Sequence, residues 1–444
     1  MSSRLMAMRL VACSHSFYKN QMISHAKWTY WVMLVTLSGS LHAADAEPKW
    51  WKGNLHTHSL WSDGDDYPEM IMEWYRSHGY HFAVLSDHNT LQRGQRWSKV
   101  LANKGGVDAY EKYVGQFGAE WVESRVTEGN LEVRLKTLSE YRPLFDAAGR
   151  FLIIQSQELT DRYLTSPIHI NVTHLNDPIK PQGGTSVLNV MQNNLDAILQ
   201  RREESGQLMM PHLNHPNFGW AVTAEEFMQL RGESFFEVYN GHPSVHNEGD
   251  ATHASLERFW DIVLTWRLAL LDLPVMYGIA TDDAHSYHEE RVGLSNPGRG
   301  WVMVRSRHLT PDHLIRSMET GDFYASSGVS LESIEHKGGK FSFSIQPKPG
   351  VSYTTRFYGT RQGFNQDHEP FRAGDGNPIR VTHQYDDSVG ELLHEMDGIR
   401  PSYTLNGDEI YVRAKVISSQ PMTNPYKEGE TECAWLQPVV YNVP

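Results

Sequence analysis

Cysteine is nearly absent from this 444-residue sequence, with Cys13 and Cys433 its only two. A disulfide scaffold is thereby excluded, and the fold must rest on a buried core. Long apolar runs are scarce as well: the stretch from Trp28 to Leu37 falls short of the roughly 20 residues that span a bilayer. Positive charge is also short, 40 Lys and Arg against 53 Asp and Glu, for a formal net charge of −13 at pH 7. Such a chain is a poor partner for nucleic acid and a good one for cations. There is no internal repeat or low-complexity tract, and the composition is ordinary globular, so disorder is not expected. The length suits one large domain and a smaller one.

The N-terminus differs from the rest. Residues 1–43 carry Arg4, Arg9, Lys19 and Lys27 and no acidic residue. Lys27 leads the apolar run and small residues from Ser38 to Ala46 follow it, the order of a secretory signal peptide cleaved after Ala43 or Ala46. Residues 1–46 are assigned to this signal, with Met22 the expected start. The protein is then exported, periplasmic or extracellular, with no stable membrane span after cleavage. Removing residues 1–43 leaves 36 basic against 53 acidic residues, a net −17, with Cys433 alone.

What the chain does have is concentrated in Asn54-Leu-His-Thr-His-Ser-Leu-Trp-Ser-Asp-Gly-Asp65, answered by Phe82-Ala-Val-Leu-Ser-Asp-His-Asn89. His56 and His58 are two apart, so on a strand both rings leave the same face and make half of a metal site. A lone His-x-His is more often surface or satisfied core than ligand. Here Asp63 follows in a turn that can swing its carboxylate back toward the pair, and a second strand ends in Ser86-Asp87-His88. Between the two, Pro68 to His78 reads as a helix, with Pro in its first turn, Gly79 past its end and Met70, Ile71, Trp74 and Tyr75 at helical spacing. Phe82 to Leu85 reads as a buried parallel strand.

The same order recurs along the chain. Gln92 to Glu128 is a polar, Gly-interrupted, partly helical insertion after a strand end, a candidate lid or substrate wall carrying Arg93, Arg96, Trp97, Trp121 and Arg125. Leu131 to Ala148 reads as helical, interrupted near Pro143. Phe151 to Ile154 is a strand delivering Gln155-Ser-Gln-Glu158 to its end, and Pro167 to His174 is strand-like with His169, Asn171 and Thr173 on one face. Ser186 to Ser205 reads as a helix, Leu208 to Met210 as a strand ending in His212-Leu-Asn-His215, and Phe235 to Tyr239 as a strand ending in Asn240-Gly-His-Pro243. The helix Ser255 to Leu271 and the strand Val275 to Ala280 lead to Asp282-Asp283-Ala-His285. Strands that end in His, Asp, Glu or Asn and alternate with helices are the mark of an α/β barrel. Thr310 caps a further helix with Pro311 at its first position and Gly321 as its stop. From Leu331 short alternating runs and the Asn406-Gly407 turn predict an antiparallel, β-sandwich-like domain over 331–444.

The ordered set His56, His58, Asp63, His88, Glu158, His169, His215, Asp283 and His285 resembles the polymerase and histidinol phosphatase (PHP) superfamily over roughly residues 50–330. Its exported members are the nearest likeness, since their chains also run through a Gly321-Asp-Phe-Tyr-Ala-Ser-Ser-Gly328-like segment into a β-rich tail. The resemblance implies a distorted (β/α)7 barrel over 47–330 and a cluster of two or three divalent ions (Mn, Fe or Zn) at its strand ends. By motif, His56, His58, Glu158 and Asp283 hold one ion, Glu158 bridges to a second held by His169 and His215, and Asp63, His88 and His285 hold a third. Asp63 stands where some relatives have histidine, which favours Mn or Fe over Zn. His169 competes with His174, His215 with His212 and Asp283 with Asp282; the His-x-Asn, Asn-His-Pro and Asp-x-His matches favour the first of each pair. Asp87, Asn171, Asn214 and Asp282 are the expected partners that fix the ligands' tautomers.

The function so implied is metal-dependent hydrolysis of a small-molecule phosphate ester by a hydroxide bridged between ions, with Glu158, Asp283 and His285 as catalytic residues. The alternatives are hydrolysis of a carbamate, carboxylic ester or amide on the same cluster, and a non-catalytic, metal-stabilised binding protein. Phosphate selectivity needs a cation near the cluster, and Arg93, Arg291 and Arg299 are candidates that no spacing secures.

Overall fold

Apolar runs become strands and the amphipathic stretches between them become helices. In the computed structural model, which describes residues 47–440, β1 (Lys49–Asn54), α1 (Pro68–Ser77) and β2 (Phe82–Leu85) come first. An inserted block follows: β3 (Arg96–Lys99), α2 (Gly106–Phe117), β4 (Ser124–Thr127) and β5 (Asn130–Leu135). The chain continues through α3 (Leu138–Phe145), β6 (Leu152–Tyr163), β7 (Ser166–Thr173), α4 (Val187–Ser205), β8 (Met210–Leu213) and the one-turn α5 (Ala224–Phe227). Next are β9 (Phe235–Asn240), α6 (Leu256–Ala269), β10 (Tyr277–Thr281), β11 (Trp301–Ser306), α7 (Pro311–Glu319) and β12 (Phe323–Ser326). The remainder is all β: β13 (Leu331–Lys337), β14 (Lys340–Ile345), β15 (Tyr353–Arg361), β16 (His368–Glu369), β17 (Gln384–Tyr385), β18 (Glu391–Asp397), β19 (Ser402–Thr404), β20 (Glu409–Pro421) and β21 (Thr431–Val440). The expected signal peptide and Cys13 lie outside the described residues. Among the described residues no helix is long and apolar enough to cross a membrane.

The architecture is mixed α/β on one 13-stranded sheet, ordered β10-β9-β8-β7-β6-β2-β1-β11-β12-β21-β20-β15-β18. β1, β2 and β6 run parallel, as do β8, β9 and β10, while β7 is antiparallel to both its neighbours. Just past β1 and β10 the chain pairs once more. Thr57 bridges Ala284 in parallel, His58 N–H reaches Ala284 O at 2.9 Å, and Asp283 N–H reaches His56 O at 3.0 Å. The sheet therefore curls until the ends of β1 and β10 touch, at the end where the polar clusters sit. Leu55, Val84, Ile154, Met210, Phe235 and Ile279, carried at or next to six different strands, share one buried cluster.

Several elements differ from expectation for local reasons. The insertion is an antiparallel sheet, β3-β5-β4, with a single helix. Residues 130–135 are a strand because Leu131, Val133 and Leu135 alternate with polar residues, and the helix begins only after Thr137, which forms a capping box with Glu140. β6 is far longer than Phe151–Ile154, so Glu158 sits within a strand and not past its end; its polar side chains face a polar interior. Residues 331–440 are β throughout, and Phe341, Phe343, Phe357, Tyr403 and Val412 share one buried cluster. β21, β20, β15 and β18 extend the main sheet.

Candidate metal centre

All nine residues of the motif come together, seven of them in the segments that follow strands and two within strands. His56 and His58 follow β1, His88 follows β2, Glu158 and His169 lie in β6 and β7, His215 follows β8, and Asp283 and His285 follow β10. Asp63 is folded back by a turn in which Ser62 N–H and Gly64 N–H both return to Ser59 O, at 2.9 and 3.0 Å. Gly64 is required there, because a Cβ would lie 2.4 Å from the His58 carbonyl oxygen. His215 and Asp283 carry positive φ, 21° and 49°, a strained conformation for residues with a Cβ. His215 N–H is held by Glu237 Oε2 at 2.8 Å and Asp283 N–H by the His56 carbonyl. Such strain concentrates at functional sites.

The separations are those of atoms that share a point. His56 Nε2 lies 3.1 Å from His58 Nε2, 3.2 Å from Asp283 Oδ1 and 3.5 Å from Glu158 Oε1. His58 Nε2 is 3.3 Å from both Glu158 Oε2 and Asp283 Oδ1. A tetrahedral ion with bonds of 2.0–2.1 Å sets its donors about 3.3–3.4 Å apart. Asp63 Oδ1 lies 3.3 Å from His285 Nε2, 3.5 Å from His58 Nδ1 and 3.6 Å from His88 Nε2. Between these groups, His88 Nδ1 and His169 Nδ1 each stand 2.8 Å from a Glu158 oxygen. His215 Nε2 is 3.7 Å from Glu158 and 3.8 Å from Asp283. The donors fall into overlapping groups, His56–His58–Glu158, His56–His215–Asp283, His88–Glu158–His169, His58–Asp63–His88–His285 and His56–His212–Glu237, and His169 and His215 both approach Glu158 Oε1.

The donor set fits divalent metal. It is imidazole and carboxylate throughout, and Glu158 Oε2, Asp63 Oδ1 and His169 Nδ1 are buried without a hydrogen-bond partner. Buried polar atoms are rarely left so. Burial opposes charge on Glu158, yet His88, His169 and His56 hold its carboxyl well below the usual range. Burial likewise opposes charge on Asp283, and His56 and His58 hold it low. Burial and the neighbouring His285 push His58 down to about 3, which leaves its imidazole neutral and able to donate a lone pair.

Of the paired alternatives, His169, His215 and Asp283 are at the cluster. His174 points to Asp312 at 3.6 Å, and Asp282 accepts from Arg299 and Gly300 N–H at 2.6 and 2.8 Å, holding the loop before β11. His212 is buried beside Glu237, 3.7 Å away, with neither ring nitrogen hydrogen-bonded. The supporting residues are only partly those expected. Asn214 donates to Glu158 Oε1 at 2.8 Å, and Asn171 donates to the Leu55 carbonyl at 3.0 Å, touching no imidazole. Asp87 acts through Ser62, which donates to it at 2.7 Å and lies 3.3 Å from His58 Nδ1. The acceptor for His56 Nδ1 is Glu237, at 2.7 Å, a fully buried carboxylate that also takes Thr281 Oγ and Asn240 Nδ2. Sequence reasoning missed it, although a lone Glu in the apolar strand Phe-Phe-Glu-Val-Tyr is itself a signal, since buried carboxylates persist only when partnered. Glu237→Gln is expected to weaken metal binding about 10- to 100-fold, measured by competition with a chromogenic chelator.

The mouth of the site adds two more groups. Phe218 packs against His215 and His169, with ring centres 5.1 and 6.2 Å apart. His242 lies 5.6 Å from His285, and burial lowers it to about 4, so it is neutral. The candidate phosphate-binding arginines have other partners in this structure. Arg93 pairs with exposed Asp177 at 2.9 Å and Arg291 with Glu289 at 3.0 Å, while buried Arg299 donates to the carbonyls of Gly241, Asn424 and Pro425. The cation at the cluster is Lys104, 3.4 Å from Asp63 Oδ2.

No protein-family model matches the chain, and no curated protein matches it. Several solved structures are similar, these three among them. One is a two-domain protein from Bacteroides vulgatus described as containing a PHP-like metal-dependent phosphoesterase, 13% identical, covering 89% of this chain and 96% of its own at a TM-score of 0.37. Another, from Bifidobacterium adolescentis and named for a metal-dependent phosphoesterase, is 14% identical and covers 62% and 97% at 0.29. The third is an amidohydrolase from Chromobacterium violaceum with bound sulfate, 12% identical, covering 55% and 93% at 0.26.

Proposed function

We propose that this protein is an exported PHP-type metallohydrolase that cleaves phosphate esters. The observation that carries the reading is the convergence of nine donors, Glu158 at their centre, with separations of 2.8–3.7 Å to its imidazole neighbours. His56, His58, Glu158 and Asp283 would hold one ion, with Glu158 shared toward His88, His169 and His215, and Asp63 with His285 holding a further one. Divalent ions, when bound, supply a water of lowered pKa and neutralise charge on the attacked ester. The chain's own residues orient the donors. Glu237 accepts the His56 Nδ1–H hydrogen bond and so turns Nε2 to the cluster, Ser62 stands at His58 Nδ1, and Phe218 packs on His215 at one side. The meeting of β1 with β10 at Thr57 and Ala284 supports a distorted seven-stranded barrel. Lys104 beside Asp63 supports an anionic substrate over a neutral one.

The test is hydrolysis of phenyl phosphate, a phenyl carbamate and phenyl acetate by purified protein. Turnover of the phosphate, at least about a hundredfold above the other two, is the expected result. Turnover of the carbamate or acetate alone would keep the site and replace the substrate class. Export is supported by the Lys27-led apolar run, and mass spectrometry of secreted protein is expected to find the mature chain starting at Ala44 or Glu47. Retention of residues 22–43 in soluble cytoplasmic protein would refute it.

A further inference from the structure

The inserted block builds a surface beside the cluster that metal binding does not explain. A cleft of about 450 Å³ is lined by Ser62, Asp63, Arg96, Trp97, Lys99 and Lys104. Asp63 belongs to both cleft and cluster, so a molecule filling the cleft reaches the cluster. The wall is firmly set. Asn103 accepts Gly106 N–H at 2.8 Å and donates to Ser98 Oγ at 3.0 Å, and Ala102 and Asn103 N–H return to Lys99 O at 3.1 and 2.9 Å. A Cβ at Gly105 would lie 2.1 Å from Asp65 O, so the Lys99–Lys104 turn presses on the turn that carries Asp63. Arg96 is anchored to the Trp61 carbonyl, and the Arg125 guanidinium lies 3.9 Å from the centre of the Trp97 ring.

The charge of this cleft runs against that of the chain. Three cations, Arg96, Lys99 and Lys104, line the cleft with the single carboxylate of Asp63 in a protein of net charge −13. Lys104 is shared with Asp63, and exposed Lys99 stands opposite Glu132 of β5, whose carboxylate is taken by Arg125 at 2.7 Å. An ion held by Asp63 would take up that carboxylate's charge, which would leave Lys104 and Lys99 for whatever extends from the cluster. A neutral leaving group gives these groups nothing to bind; an anionic one meets both.

We infer that this cleft is a subsite for a second anionic group on the substrate, making the substrate class a phosphate ester that bears a further phosphate or carboxylate. This rests on the phosphoesterase reading of the cluster. The test is calorimetric binding of phenylphosphonate, 4-carboxyphenylphosphonate and 1,4-phenylenebisphosphonate to the purified, metal-containing protein, with phenyl phosphate turnover measured alongside. At least one ligand with a second anion is expected to bind on the order of tenfold more tightly than phenylphosphonate, the scale of two exposed ion contacts. The tighter of the two tells carboxylate from phosphate. Added salt should shrink the preference, since exposed cations are screened. In the Lys99→Gln/Lys104→Gln double variant the ratio should fall to within about twofold of unity. Equal binding of all three ligands, or an unchanged ratio in the variant, overturns the subsite; if phenyl phosphate is still hydrolysed, the hydrolase reading stands. A lysine-dependent preference without ester hydrolysis supports the subsite and sinks the hydrolase. Binding of no phosphonate overturns the subsite too.

Discussion

Replacing Glu158 by Gln is expected to lower kcat about a thousandfold, a barrier rise of about 4 kcal/mol, and to lower bound metal in the same step. No other side chain reaches so many donors. Its two oxygens lie 2.8 Å from His88 and His169, 3.3 and 3.5 Å from His58 and His56, and 3.7 Å from His215. A carboxylate has two equivalent anionic oxygens and can serve two ions, whereas an amide offers one neutral oxygen and an –NH2 that repels a cation. Gln keeps the shape, and Asn214 Nδ2, which donates to Oε1 at 2.8 Å, keeps an acceptor. The loss is therefore expected with little change in the thermal midpoint of metal-free protein. His88→Ala should do less, because His58 and His285 still face Asp63. His313, whose ring lies 2.8 Å from Thr310 Oγ on an exposed helix start, serves as control, and His313→Ala should keep turnover within about threefold. Full activity in Glu158→Gln would refute the shared-carboxylate arrangement.

The second large effect concerns stability. Asp261 in α6 and Arg413 in β20 form a buried pair in which Arg413 Nε and Nη2 donate to the two carboxylate oxygens at 2.7 and 2.5 Å, with side chains only 4% and 1% exposed. Tyr411 donates to the same carboxylate at 2.8 Å, and Arg413 lies 5.1 Å from the Trp260 ring centre. Burial would lower the guanidinium's pKa, but Asp261 raises it, so Arg413 keeps its charge. Asp261→Ala leaves that buried charge only the more distant Glu257, 3.9 Å from Nη1, and a loss of about 3 kcal/mol is expected, read from denaturant unfolding. Asp261→Leu with Arg413→Met should recover most of it, because no unpaired charge then remains. A single variant as stable as the parent would show that water reaches the pair.

How much of this was legible from residues alone depends on where each signal lives. His-x-His, Asp-x-His and the apolar strands before them are local patterns, and the structure brings those side chains to one place. Glu158 was legible as a ligand but not as a residue of a long strand. Gln155-Ser-Gln-Glu158 is polar, and polar runs read as loops unless the barrel interior is itself polar. Leu131-Glu-Val-Arg-Leu135 has strand period, yet it leads directly into the helix after Thr137 and was absorbed into it. Glu237 hid inside an apolar strand. Lys104 had no local signal, since only the contact of Gly105 with Asp65 brings it to Asp63. The continuity of β12 with β21 was equally invisible, because strand pairing between residues 324–326 and 434–436 is a matter of tertiary packing.

Metal content by mass spectrometry, measured on the same samples as phosphate-ester turnover before and after chelation, tests the metal cluster most directly. The expected result is two or three divalent ions per chain, turnover that falls at least about a hundredfold as they are removed, and recovery when Mn, Fe or Zn is returned. Full turnover by protein carrying only trace metal would contradict it.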